Sequence, residues 1–233
     1  MRQIAAALVL ACLAASPLAA QDIASARLIQ PTDRYDHGVL GDALEWGGLE
    51  MRLTNGQRLR VTLPQSRVFE DVEARLSDFD GDGRPEVMVV ETDIATGGSL
   101  AIYDATGKRA ATAHIGQTHR WLAPAGWGDF DGDGQIEIAY VDRPHLAREL
   151  VFVRLVGDRL IELARLKGVT NHRISDDVIS GGLRRCNGRD SLILANADWS
   201  QVTEVTWGAT GPQARALGPL RRGADIQAAR RCP

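Results

Sequence analysis

The sequence predicts an all-β chain, a small β-propeller of about four four-stranded blades, and three observations lead there. The loop Asp78-Phe79-Asp80-Gly81-Asp82-Gly83 returns as Asp129-Phe130-Asp131-Gly132-Asp133-Gly134, 51 residues later. Each copy is followed by a short β-branched and apolar run, Val87-Met88-Val89-Val90 and Ile138-Ala139-Tyr140-Val141, of the kind that forms strands buried on both faces. Turn glycines Gly56, Gly107, Gly157 and Gly211 keep the same rhythm, at spacings of 51, 50 and 54 residues. A period of this length signals one supersecondary unit per repeat, and such units bury their faces by stacking on one another.

The elements follow from that period. In the second unit (66–116), strands are expected over 69–76 and 86–91 on either side of the acidic loop, then over 99–103 and 108–115 around the turn Asp104-Ala105-Thr106-Gly107. The third unit (117–168) repeats the order with 120–127, 137–141, 149–155 and 159–166. The first unit (33–65) shows its closing hairpin, 49–53 and 58–63, about Thr54-Asn55-Gly56; its opening strand comes either from 26–29 or from the tail at 224–229. The fourth unit (169–218) supplies 191–196, 202–207 and 213–217, leaving a tail at 219–233. The repeats form one domain over 21–233, and a ring of four is small enough that enlargement by a second copy is open.

The acidic loops point to a hard cation. Carboxylates at alternate positions of a tight loop repel one another unless something positive lies between them. Oxygen ligands at positions 1, 3 and 5 with Gly at position 6 suit Ca²⁺. The ligands expected in the first loop are Asp78, Asp80, Asp82, the carbonyl of Arg84, and Glu86. In the second they are Asp129, Asp131, Asp133, the carbonyl of Gln135, and Glu137. An EF-hand is excluded, because its bidentate Glu at position 12 is replaced by Val89 and Tyr140, and strands rather than helices flank the loops. The fourth unit lacks the motif: Leu183, Arg185, Asn187 and Ser191 stand where the second has Asp78, Asp80, Asp82 and Glu86. About two structural calcium ions are therefore expected.

The pattern D-x-D-x-D-G-x-x-E before a strand, in repeats of this length, resembles the FG-GAP/VCBS repeats of integrin-α-type β-propellers. The resemblance covers about 35–217, with the motif itself in two units. It implies blades that hold Ca²⁺ in inter-strand loops on one rim, in a structural rather than catalytic role.

Residues 1–20 read as a secretory signal: Arg2, an apolar run over 4–15, and Leu18-Ala19-Ala20 before the cleavage point near Ala20. The run is too short to span a bilayer. In an exported chain the two cysteines beyond it, Cys186 and Cys232, are expected to form a disulfide that holds the fourth loop as calcium holds the second and third. A net charge of −3 offers no field for nucleic acid.

Motifs for serine, zinc, P-loop or dinucleotide chemistry are absent from the sequence. Glu91, Asp142 and Asn196 occupy equivalent ends of the second strand in three units, and His119 and His172 open two of them. Glu91, Asp142, Asn196 and His119 are thus a candidate axial ligand site or acid–base set, against the plainer reading as solvated strand ends. Trp46, Trp121, Trp127, Trp199 and Trp207 are expected mainly to fill wedges between units, with stacking on sugar as the alternative. The chain is accordingly expected to be a periplasmic or secreted, non-catalytic calcium-binding module that takes a protein or glycan on one rim. A propeller hydrolase or lyase acting on an extracellular polymer is the alternative.

Overall fold

A computed structural model describes residues 22–41, 44–174 and 176–232; the expected signal at 1–20 lies outside them. Every strand pairing is antiparallel. The first unit contains β1 (Ile23–Thr32), β2 (Glu45–Leu53) and β3 (Arg58–Thr62). The second contains β4 (Arg67–Phe69), β5 (Arg75–Ser77), β6 (Glu86–Asp93), β7 (Gly97–Asp104) and β8 (Gly107–Ala111). The third is β9 (Leu122–Gly128), β10 (Glu137–Asp142), β11 (Glu149–Val156) and β12 (Arg159–Lys167). The fourth is β13 (Val169–Thr170), β14 (Gly182–Cys186), β15 (Arg189–Asn196), β16 (Gln201–Gly208) and β17 (Gly211–Pro219), followed by helix α1 (Gly223–Ala229).

Hydrogen bonding divides these strands into sheets of eight, four and five rather than four sheets of four. The expected strand over 69–76 is broken, and the break joins the first two units. Between β4 and β5 the carboxylate of Asp71 accepts the amides of Val72 and Val90, each at 2.8 Å, so a side chain replaces part of the ladder. The released β4 then pairs with β6 on one side and, through Phe69 opposite Trp46, with β2 on the other. The fourth unit's opening strand is divided likewise into β13 and β14, both of which pair with β15.

The period-2 alternation of strands buried on both faces positions everything else. Leu49 and Met51 pack with Val87, Val89 and Tyr103 between the first and second units. The alternate residues of the second unit, Met88, Val90 and Ile102, pack with Ile138, Tyr140 and Val153 of the third. Ala139, Val141 and Phe152 then meet Leu192, Leu194 and Val205 of the fourth. The remaining face, Ile193, Ala195 and Val202, is covered by Ile226 of α1.

The two ends of this array differ. Of the two sources expected for the first unit's opening strand, β1 contains 26–29 and pairs along the whole of β2. The tail at 224–229 lies instead in α1, over the fourth unit. It does not close a ring between last and first units, and among the described residues no strand pairing joins those two units. The outward face of the first unit carries Glu50 bonded to Arg27 and Arg60, both at 2.8 Å, with Arg58 at 3.6 Å. Such a face has charge to keep in water, whereas the apolar face at the other end needs a cover. Cys186 and Cys232 are bonded, with Cα atoms 5.7 Å apart, and so fasten that cover to β14.

Candidate metal centre

Each acidic loop runs from the strand that enters it to a Glu that opens the next, β5 to β6 and β9 to β10. Phe79 and Phe130, 0% and 7% exposed, drive position 2 into the inter-unit cores and so fix where the loop begins. Gly81, Gly83, Gly132 and Gly134 have φ of 79°, 86°, 82° and 85°. A Cβ at any of them would meet nothing within 4 Å, so the left-handed backbone, not space, requires glycine there.

The loop's own amides orient its carboxylates. Asp78 accepts the N–H groups of Gly81 and Gly83 at 2.7 and 2.9 Å, and Asp129 those of Gly132 and Gly134 at 2.8 and 3.1 Å. Glu86, 2% exposed, accepts the amide of Phe79 at 3.0 Å, and Glu137, 0% exposed, that of Phe130 at 2.9 Å. The outcome is two equivalent clusters, Asp78 with Asp80 and Glu86, and Asp129 with Asp131 and Glu137. In each, one oxygen per residue lies within 4.8 Å of the others.

Positions 1, 3 and 9 of the expected set therefore converge, while the side chains at position 5, Asp82 and Asp133, are not part of these clusters. Asp82 and Asp133 accept the amides of Arg84 and Gln135, each at 2.8 Å. The Gln135 amide holds the Asp133 carboxyl below its ordinary value. Burial pushes the Glu86 carboxyl up to about 7, the amide of Phe79 and Arg109 pulling against it. Glu137 is raised for the same first cause. A buried carboxylate on which acids converge calls for positive charge, and three hard oxygens suit a hard cation.

Two arginines missed at the level of sequence supply part of that charge. Arg109 donates to Asp80 at 2.6 Å and to Glu86 at 3.1 Å. Arg154 reaches Asp131 at 3.2 Å, Asp133 at 2.9 Å and Glu137 by two nitrogens. For Arg154 a signal existed: the β10–β11 register sets Glu137 directly opposite it. Arg109 sits on β8, and nothing local in the sequence points it at the loop.

In the fourth unit Arg185 does bring a fixed cation, bonding Asp190 at 2.6 and 2.7 Å. The candidate axial residues are not brought together. Glu91 is bonded by Arg67, Tyr103 and Lys108, and Asp142 by Arg143 and Arg165. Asn196 bonds Ser200 and Gln201, and His119 bonds Asp36. Sequence equivalence places three of them at like strand ends, but each faces its own neighbours within its own unit. His172, by contrast, is buried against Trp121 with ring centroids 4.9 Å apart, and its Nδ1 lies 3.0 Å from His145 Nε2. Trp127 and Trp207 stand edge-on to Phe79 and Phe152 at 5.5 and 5.1 Å, as wedge fillers.

The family model for the FG-GAP-like repeat matches residues 78–140, a span that opens on Asp78 and takes in both acidic loops. The resemblance read from the motif therefore holds over this span. No curated protein and no solved structure matches the chain. Among the described residues no helix is long and apolar enough to cross a membrane.

Proposed function

We propose that the FG-GAP-like segment carries two structural calcium sites, and that the protein is an exported, non-catalytic binding module built on them. The observation that carries the reading is the pair of equivalent clusters, Asp78–Asp80–Glu86 and Asp129–Asp131–Glu137, each with a buried Glu. Calcium held this way would tie the strand entering each loop to the strand leaving it. The four units act as blades of a small propeller-like array, with α1 covering its last face. Export is supported by the Cys186–Cys232 bond together with the leader-like residues 1–20. The expected partner is a protein or glycan on a rim.

Calorimetry on the intact protein tests this. Two calcium ions per chain are expected, falling to one in Asp80→Ala and in Asp131→Ala. With dissociation constants of about 10⁻⁴–10⁻³ M, calcium near 1 mM adds roughly 0.4–1.4 kcal/mol per site. For a chain of this size that raises the melting temperature by about 1–5 °C per site. Identical melting in calcium-free and calcium-containing buffer, with no heat of uptake, would sink the reading.

A further inference from the structure

Distinct from the two acidic clusters, where β5, β9 and β14 converge, the structure holds a cavity of about 480 Å³. That is within the range of small-molecule sites, which combine apolar walls with a few placed polar groups. Trp127, Ile179 and Leu183 supply apolar lining, and Arg75 and Arg230 line it as well.

The two arginines have donors to spare. Arg75 has a side chain only 8% exposed. Its Nη1 serves both oxygens of Asp71 at 2.8 Å and the carbonyl of Glu73 at 3.2 Å, and its Nε lies 3.5 Å from the Glu73 carboxylate. Its Nη2 has no hydrogen-bond acceptor among the described residues. Asp71 cannot turn to it, because its oxygens already take the amides of Val72 and Val90. Arg230 lies flat over Gly182, where a Cβ would meet its Cζ at 3.2 Å. Its own bonds are long, 3.5 Å to the carbonyl of Leu183 and 3.4 Å to Gln227.

Glu73 and Asp177 also line the opening. The Glu73 side chain is 66% exposed, so water screens its charge, while the buried Arg75 is screened far less. Asp71 already neutralises the Arg75 charge, so an anion here would rest on the unused Nη2 donors of Arg75 and on Arg230, and the acidic mouth disfavours a dianion such as phosphate. A guanidinium edge matches the two oxygens of a carboxylate.

We propose that this cavity binds a ligand with an apolar body and a single carboxylate. Arg75 and Arg230 hold the carboxylate, and Trp127, Ile179 and Leu183 receive the body. Both a free aliphatic acid and the C-terminus of a peptide have this chemistry.

The test is calorimetry on the full chain with hexanoate, hexan-1-ol and hexylamine, calcium being present throughout. Hexanoate is expected to saturate one site and to bind at least about tenfold more tightly than hexan-1-ol, the gain of a charge-assisted hydrogen bond. Arg230→Ala is expected to weaken hexanoate about fivefold or more with unchanged melting, since its present bonds are long. N-acetyl-leucine and its amide distinguish the sources: N-acetyl-leucine binding above hexanoate assigns a peptide terminus, and binding below it assigns a free acid. The proposal is overturned by hexylamine binding as well as hexanoate, by an Arg230→Ala affinity equal to the parent's, or by no saturation with hexanoate up to about 10 mM, a concentration at which any useful affinity would show.

Discussion

Asp190, near the start of β15, accepts the backbone N–H of Asp129 at 3.1 Å, so a carboxylate of the fourth unit anchors the first residue of the third unit's acidic loop. Arg185 neutralises that carboxylate. The approach is close enough that a Cβ on Gly128 would stand 2.3 Å from Asp190 Oδ2. Gly128→Ala is therefore expected to cost about 1–3 kcal/mol of stability. It should weaken calcium uptake at the second loop and leave the first unchanged; calorimetry on the Asp80→Ala background, where only the second loop binds, reads this directly.

Arg154 occupies oxygens of Asp131 and Glu137 that the proposed calcium would need. Arg154→Met should lower melting in calcium-free buffer, because Glu137 then lies buried without its cation. The same variant should bind calcium more tightly at that loop. A variant that loses both stability and calcium affinity would show Arg154 to be a support of the site rather than a competitor.

Burial raises the Glu86 carboxyl to about 7, and the sign of its effect follows. Without metal the folded chain holds a proton that the unfolded chain releases. The stability from this group is full below the ordinary carboxylate value and is lost as pH rises through about 7. Calcium at the proposed site would displace that proton, so affinity at the first loop should rise between about pH 6 and pH 8, with proton release seen in buffers of different ionisation enthalpy. Glu86→Gln should remove the pH dependence along with the site.

The His145–His172 pair works in the opposite direction. His172 Nε2 donates to the carbonyl of Asp176 at 2.9 Å, which leaves Nδ1 to accept from His145 Nε2. Burial lowers His172 and pushes His145 down to about 4, so both rings favour the neutral form near neutral pH. Stability from this group is present above the ordinary imidazole value and is lost as pH falls towards 4. Hydrogen exchange in the segment 171–181 should quicken on acidification before the β10–β11 ladder does. Simultaneous loss of protection in both would count against a local origin.

Reduction of the Cys186–Cys232 bond opens a loop of 46 residues, worth up to about 4 kcal/mol of stability in the chain-entropy model. Cys232→Ser should lower melting, free α1, and expose Trp199 and Leu220 beside it. Binding of a hydrophobic dye and quenching of tryptophan emission by acrylamide report that release.

What the sequence made legible was whatever depends on neighbours along the chain. Val87-Met88-Val89-Val90 and its counterparts are apolar on both faces because each unit is sandwiched, and the turn glycines mark where each hairpin reverses. The acidic loops were equally plain, since their oxygens and amides come from within nine residues. Partners from farther away were hidden. Asp71 interrupts its strand by reaching Val90, and the reading over 69–76 had no means of pairing them. A seven-residue helix with one buried side chain, Ile226, leaves no period to read. The axial set shows a related difficulty: equivalence along the chain aligns Glu91 with Asp142, but each is bonded by its own set of cations, Arg67 and Lys108 for one and Arg143 and Arg165 for the other.

The unlike terminations of the array limit how it could have grown. Glu50 and its arginines make one end unsuited to receiving another apolar sheet, and the other end is occupied by a tethered lid. Among the described residues, one outer face is therefore charged and the other is covered by a helix. Among the same residues, matching apolar faces on both sides are found only around the two inner units, and those are the units that carry the two near-identical acidic loops.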